Sequence, residues 1–463
     1  MDSDKKKFSR REFLRRFGAS TASAFALLTV GDLAAYGARE NGARVSDDNN
    51  AGGEGNRMSY RLNNKTGDKV SLLGYGMMRL PYKDRQIDQE MVNAEVDYAL
   101  AHGINYFDTA PMYGRGRSEI ATGIALSRHP RKSYFIATKM SNQDPSQQSF
   151  EVSKKIYEDS FKNLQTDYID YYLLHGVGGS GMDEFNRRFM DNGLLDFLLK
   201  EREAGRIRNL GFSYHGNVEV FDWLINNNDK YHWDFAQIEC NYIDWRHASL
   251  NKSGWKRDAD AEYLYNKCEK AHIQNVIMEP LLGGRLARLP EQYLSQLKAV
   301  KPDDSAASWA FRWVGSKSNV LVALSGMTQM DVLEENVRTF SPLAALTPDE
   351  ENLLEKVADG MSGMPVVPCT GCAYCMPCPF GVDIPGNFAY YNNVINKGNM
   401  PEKTAADYKE KVKAFQDGYK KSLDKAEWAT ACRDCEACLP KCPQQIRIPN
   451  QLSRITELLN TDA

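Results

Sequence analysis

Between residues 58 and 340, short runs of β-branched and aromatic residues alternate eight times with longer stretches of helical period. The runs are SLLGYGMM (71–78), INYFDTA (104–110), SYFIATKM (133–140), IDYYLLHG (169–176), IRNLGFSY (207–214), FAQIECNY (235–242), NVIMEPLL (275–282) and VLVALSGM (320–327). Between them lie helical stretches such as QEMVNAEVDYALAHG (89–103), with Gly103 as its stop signal, GLLDFLLKEREAGRI (193–207) and QMDVLEENVR (329–338). Strand and helix in strict alternation imply parallel strands with helical crossovers. Eight such units in this length predict an α/β fold of the (β/α)8 TIM-barrel type rather than an open doubly wound sheet. The first run is followed by no glycine-rich dinucleotide fingerprint, which also speaks against the open sheet.

In such a barrel the chemistry gathers at the C-terminal ends of the strands. Toward those ends the second run carries Asp108, with Tyr113 five residues on, the third carries Lys139 and the fourth His175. Converting a carbonyl to an alcohol takes a hydride to carbon and a proton to oxygen. A free phenol, with a pKa of about 10, is a weak acid near neutrality. A lysine ammonium beside it would lower that value, an aspartate would hold the lysine charged, and a histidine could orient the carbonyl oxygen. Singly, these residues read as a cap, pocket linings and a surface lysine. Together, at strand ends that face one mouth, they read as a catalytic set.

The segments GINYFDTAPMYGRGRSE (103–119), FIATKM (135–140) and DYYLLHG (170–176) resemble the aldo-keto reductases. The resemblance spans about residues 60 to 345 and maps that family's catalytic tetrad onto Asp108, Tyr113, Lys139 and His175. It implies NAD or NADP as cofactor and a small-molecule carbonyl or alcohol as substrate, a sugar being one candidate. It also implies nicotinamide contacts at Ser213, Gln237, Gly283, Gly284, Ser325, Glu335 and Asn336. The chain departs from the pattern where Tyr214 follows Ser213 in place of an asparagine. Gly326 and Val332 stand where NADP-preferring members carry cations, with Asp331 close by, so the choice between NAD and NADP stays open.

Eight of the ten cysteines fall in two runs, Cys369, Cys372, Cys375, Cys378 before Pro379 and Cys432, Cys435, Cys438, Cys442 before Pro443. Quartets ending in Cys-Pro are the ferredoxin pattern and predict two 4Fe-4S clusters. Zinc ribbons use pairs rather than quartets. By the ferredoxin rule of exchanged fourth ligands, one cluster takes Cys369, Cys372, Cys375 and Cys442 and the other Cys432, Cys435, Cys438 and Cys378. The first run is one residue shorter before its fourth cysteine than the bacterial pattern, and the segment between the runs (386–430) reads as helical. A small helical ferredoxin-like module is therefore expected. Cys240 and Cys268, outside the runs, read as buried core thiols.

The N-terminus reads as an address. KKKFSRREFLRR (5–16) is basic, and the apolar run from Ala19 to Val30 is too short to span a bilayer, which takes about twenty residues. SRREFLR (9–15) resembles the twin-arginine signal. Residues 1–38 are thus expected to be that signal, 39–57 a disordered linker, 58–350 the barrel and 351–463 the iron–sulfur domain. Export to the periplasm follows, with the translocation machinery as a partner and a membrane anchor if the signal is not cleaved. A net charge of -3 gives none of the basic surface that a nucleic-acid partner needs. The leading reading is an exported oxidoreductase whose clusters serve electron transfer, with a redox partner, or structure. The alternative is an electron-transfer protein that uses the barrel as a docking scaffold.

Overall fold

The computed structural model describes residues 58–248 and 258–462. The twin-arginine segment and the linker expected at 39–57 lie outside the described residues. Eight parallel strands close a barrel: β1 Leu73–Gly76, β2 Tyr106–Asp108, β3 Phe135–Met140, β4 Ile169–Val177, β5 Ile207–Tyr214, β6 Phe235–Glu239, β7 Gln274–Met278 and β8 Val320–Ser325. Each of the eight runs expected from the alternation contributes one strand. The short hairpin of Tyr60–Leu62 with Lys69–Ser71 precedes them.

Helices cover the barrel because their sequences carry one apolar stripe each. In Gln89–Ala101 the buried residues are Val92, Glu95, Val96 and Ala99, and the Asp88 side chain caps the first turn at Met91 N. Gly103 follows with φ +89°, and a Cβ there would stand 2.6 Å from the Tyr60 hydroxyl, so the stop requires glycine on both counts. A capping box between Thr347 and Glu350 opens the helix Pro348–Ser362. Its Leu354, Val357, Ala358 and Met361 join the barrel's core.

The next buried apolar residues, Val366 and Val367, belong to a second core with Val382, Ile384, Phe388, Tyr419, Ile446 and Leu452. This core is built by the helices Ile384–Asn396, Tyr408–Ser422 and Ile448–Asn460, and six of the eight clustered cysteines pack against it. The C-terminal module is helical, as its sequence predicts. Both cores lie in one compact unit. No helix among the described residues is long and apolar enough to cross a membrane.

Candidate active site

The two-residue period of the strands delivers the polar groups to one end of the barrel. Tyr106, Ala137, Leu173 and Phe235 fill the interior, and two residues further along the same strands stand Asp108, Lys139, His175 and Gln237, all buried. Lys139 Nζ donates to Asp108 Oδ1 at 2.5 Å and to the Thr109 carbonyl at 2.8 Å. Gln237 Nε2 reaches Asp108 Oδ2 at 3.3 Å. Burial pushes the Asp108 carboxyl up and the Lys139 ammonium down, each shift opposed by the partner's charge.

His175 is aimed by a bulge. The pairing of β4 with β5 slips between Leu174 and Val177, and Gly176 takes φ +60°. Buried Arg188 clamps the bulge from behind, donating from Nη1 to the Gly176 carbonyl at 3.1 Å, from Nη2 to the His175 carbonyl, and from Nε to Asn142 Oδ1 at 3.1 Å. On the ring, Nδ1 shares a hydrogen bond with Ser141 Oγ at 2.6 Å. Burial, reinforced by the Lys139 charge, holds the imidazole well below its usual pKa and keeps it neutral.

Tyr113 opens the turn after β2, Tyr113–Gly116. Its ring meets His175 edge-on with centroids 5.8 Å apart, and Lys139 Nζ lies over its face, 4.9 Å from the centroid. Asp108, Tyr113, Lys139 and His175 therefore converge as the sequence implies. The expected depression of the phenol by Lys139 is not found. Burial first, then Tyr374 and Asp108, push Tyr113 well above the ordinary phenol value. The ammonium is spent on Asp108 and lies against the ring.

Tyr374 is the residue that sequence reasoning missed. It sits between Cys372 and Cys375, and after burial it is the group that most raises the Tyr113 phenol. An aromatic inside a cysteine run was the only signal available. Other contacts tie the same segment to the barrel. Arg79 Nη2 donates to the Thr370 carbonyl. A Cβ built on Gly283 would lie 2.4 Å from Thr370 Cα. Gln444, two residues past Cys442, donates to Glu239 Oε1 at 2.8 Å, which His215 Nδ1 approaches at 3.0 Å.

The residues proposed for nicotinamide divide accordingly. Ser213 Oγ accepts from Gly176 N at 2.8 Å, and Gln237 keeps Oε1 buried without a hydrogen-bond partner among the described residues, an acceptor suited to an amide donor. Asn336 Nδ2 donates to Ser325 Oγ at 3.0 Å, and Glu335 is half-buried on the helix Met330–Thr339. Gly283 is covered by Thr370, whereas Gly284 faces open space. Tyr214, where an asparagine was expected, turns its hydroxyl to the Gly216 carbonyl. The methylenes of Arg79 pass 3.6 to 3.9 Å from where a Cβ on Gly326 would be, bringing a cation close to the position at which the sequence shows none.

The thiols gather as two sets. After burial, which pushes Cys372 and Cys375 up to about 12, the groups that most disfavour their charge are other cysteines: Cys369 for Cys372, and Cys372 and Cys369 for Cys375. Cys442, also raised, is flanked by Cys372, Cys369 and Cys375. Cys438 has Cys432, Cys435 and Cys378 around it. A cavity lined by Cys375, Cys378, Cys432, Cys435 and Cys438, with Ile384 and Leu452 behind, lies between the runs. Backbone N–H groups of Gly371 and Ile446 point at Cys369 Sγ and Cys442 Sγ, both at 3.4 Å. Thiols grouped by four with amide donors suit an iron–sulfur cluster. Among the described residues no three His, Cys, Asp or Glu side chains converge closely enough for a single metal ion.

Barrel and site together define an oxidoreductase, and comparison with known proteins gives the family. A profile of the Aldo/keto reductase family matches residues 72–359, and one of a 4Fe-4S dicluster domain matches residues 368–446. The chain is 25% identical over 318 residues to L-galactose dehydrogenase of Arabidopsis thaliana, covering 65% of this chain and 93% of that protein. It is 28% identical over 220 residues to glyoxal reductase of Bacillus subtilis, covering 47% and 67%. Among solved structures, an aldo-keto reductase from Bacillus halodurans superposes with a TM-score of 0.52 at 24% identity, covering 65% of this chain and 96% of its own. An aldo/keto reductase from Klebsiella pneumoniae, solved in complex with NADP and acetate, gives 0.51 at 20% identity, covering 65% and 95%. The chain belongs to the aldo/keto reductase family and carries a 4Fe-4S dicluster domain after the barrel.

Proposed function

We propose that the protein is a nicotinamide-dependent reductase of small carbonyl compounds, with sugars among the candidate substrates. The observation that carries this reading is the convergence of Asp108, Tyr113, Lys139 and His175 on one barrel mouth. NAD or NADP, held by Ser213, Gln237, Gly284, Ser325, Glu335 and Asn336, supplies the hydride when bound. Tyr113 donates its proton to the carbonyl oxygen in reduction and recovers it in oxidation. A phenol whose pKa is raised by burial stays protonated throughout the neutral range. That makes it a standing acid toward a developing alkoxide, a far stronger base, and favours the reductive direction.

Lys139 and Asp108 act as one unit that keeps a positive charge against the Tyr113 ring. His175 binds the substrate oxygen: with the Ser141 hydroxyl donating to Nδ1, Nε2 carries the proton and donates it. The cysteines hold two 4Fe-4S clusters, Cys369, Cys372, Cys375 and Cys442 for one and Cys378, Cys432, Cys435 and Cys438 for the other. The twin-arginine resemblance supports export with cofactors already in place, and two clusters beside a hydride site leave room for a redox partner. The test is steady-state reduction of a panel of small aldehydes and keto-sugars with NADH and NADPH. Tyr113→Phe is expected to lower kcat at least about 100-fold with KM little changed. A variant that keeps full activity would remove Tyr113 from the chemistry.

A further inference from the structure

One loop holds His175 at both its ring and its backbone. Ser141, Asn142 and Gln143 follow β3 directly. Ser141 Oγ bonds the ring at Nδ1, 2.6 Å away, and Gln143 Nε2 donates to the His175 carbonyl at 3.3 Å. Asn142, between them, grips Arg188 in both directions: its Oδ1 accepts from Arg188 Nε and its Nδ2 donates to the Arg188 carbonyl, each at 3.1 Å. Arg188 Nη2 returns to the His175 carbonyl and closes the circuit. Ser141, Asn142, His175 and Arg188 are all at most 4% exposed.

The bulge in β4 explains why a guanidinium stands there. Leu174 pairs with Phe212 and Val177 with Tyr214, so two residues, His175 and Gly176, stand opposite the single Ser213. Such an insertion disrupts the ladder locally and re-aims a side chain. Arg188 takes both carbonyls of the inserted pair, with Nη1 3.1 Å from that of Gly176, while Ser213 Oγ holds the Gly176 N–H at 2.8 Å. A π-helical turn, Asn186–Met190, delivers the guanidinium, and Glu184 Oε1 meets its charge at 3.3 Å. A lysine is no substitute, since one ammonium on a flexible stem cannot present a planar fork to two carbonyls and an amide oxygen at once.

We infer that Arg188 is a positioning residue for carbonyl reduction: by fixing the His175–Gly176 bulge it sets the direction from which the His175 imidazole meets the substrate oxygen. The inference deepens the proposed function and rests on the reading of His175 as the group that binds that oxygen. The hydrogen bonds of the guanidinium end on Asn142, Glu184 and the carbonyls of His175 and Gly176, so its effect passes through His175. Without the fork, Gly176 is left to Ser213 and the ring to Ser141, and the peptide between them is free to rotate. A misplacement of about 1 Å in a reacting group costs on the order of 100-fold in rate.

The test is a double-mutant cycle on the full-length protein, purified anaerobically, that reads reduction of small aldehydes and keto-sugars with the dinucleotide that wild type uses. Arg188→Lys, His175→Ala and the double variant are compared with wild type, and dinucleotide affinity is read separately from quenching of protein fluorescence. Arg188→Lys is expected to lower kcat/KM by about 10- to 100-fold while dinucleotide affinity stays within about twofold of wild type. In the His175→Ala background the same substitution is expected to cost nothing further, because the group it positions is gone. Full activity of Arg188→Lys, or losses that multiply in the double variant, would overturn the role, since Arg188 would then act apart from His175. A fall in dinucleotide affinity that matches the fall in kcat/KM would overturn it too, by showing that Arg188 supports the whole mouth. A wild type that reduces nothing on the panel would overturn the reading of His175 and this inference together. If Arg188→Lys does not fold, Asn142→Ala, which withdraws the support of Nε and leaves the guanidinium in place, decides in the same cycle. A loss that vanishes in the His175→Ala background supports the positioning role; full activity, or a loss that persists there, ends it.

Discussion

Lys139 Nζ stands 2.5 Å from Asp108 Oδ1, with both side chains at most 4% exposed. Each charge is tolerable there only because of the other. Asp108→Asn keeps the shape but strands an ammonium in the barrel, at a cost of about 3–5 kcal/mol. Asp108→Asn combined with Lys139→Met should recover most of that loss, since no unpaired charge remains. Thermal unfolding of the wild type and both variants checks this, and a double variant no better than Asp108→Asn would show that the pair is not the source of the effect.

Glu95 introduces a pH dependence unrelated to catalysis. It is buried under the helix Gln89–Ala101 with Oε2 accepting from the Tyr75 hydroxyl at 2.7 Å and Oε1 unpartnered among the described residues. Burial raises its pKa from 4.5 to about 7, the Tyr75 hydrogen bond pulling the other way. A carboxyl raised in the folded state contributes stability that is whole below 4.5 and is lost as pH rises through 7. Glu95→Gln should therefore melt close to wild type at pH 5 and above it at pH 8. Parallel melting curves at both pH values would contradict the assignment.

Gly283 is expected to be intolerant of a side chain for two reasons. Its φ of +66° strains any L-residue by about 1–2 kcal/mol, and a Cβ would press into the Thr370 backbone. Gly283→Val should loosen the cysteine loop, read as faster proteolysis between residues 362 and 375, whereas Gly284→Ala, with φ +90° but open space around it, should carry the strain alone. Equal cleavage of the two variants would mean that the contact with Thr370 is not what holds the loop.

The grouping of thiols across the two runs makes a distinctive prediction. Cys442→Ser should remove the same spectroscopic signal as Cys372→Ser, although Cys442 lies in the other run, and Cys378→Ser should match Cys435→Ser. Each variant is expected to keep about half of the wild-type iron. Signals that instead sort by run, with Cys442→Ser matching Cys435→Ser, would refute the exchange of fourth ligands.

Much of the molecule was legible because its signals are local. Strand–helix alternation fixed the number of barrel units, and the rule that barrel chemistry gathers at the C-terminal strand ends singled out Asp108, Lys139 and His175. Cysteine spacing alone announced the clusters. What remained hidden depends on which surfaces meet. Arg79 and Thr370 are 291 residues apart, and Glu239 and Gln444 are 205 apart. No periodicity relates positions at such separations, because these contacts are selected by shape and polarity between two folded surfaces. The same holds for the phenol of Tyr113. From sequence, the lysine beside it promised a lowered pKa; in the fold, Asp108 takes up that charge, and burial together with Tyr374 drives the value upward. The sequence by itself determined the barrel, the quartet of polar residues at its strand ends and the spacing of the cysteines. Only the tertiary structure decided that the cysteine loop closes on the barrel mouth and sets Tyr374 against Tyr113, since that juxtaposition exists only once both cores have formed and docked.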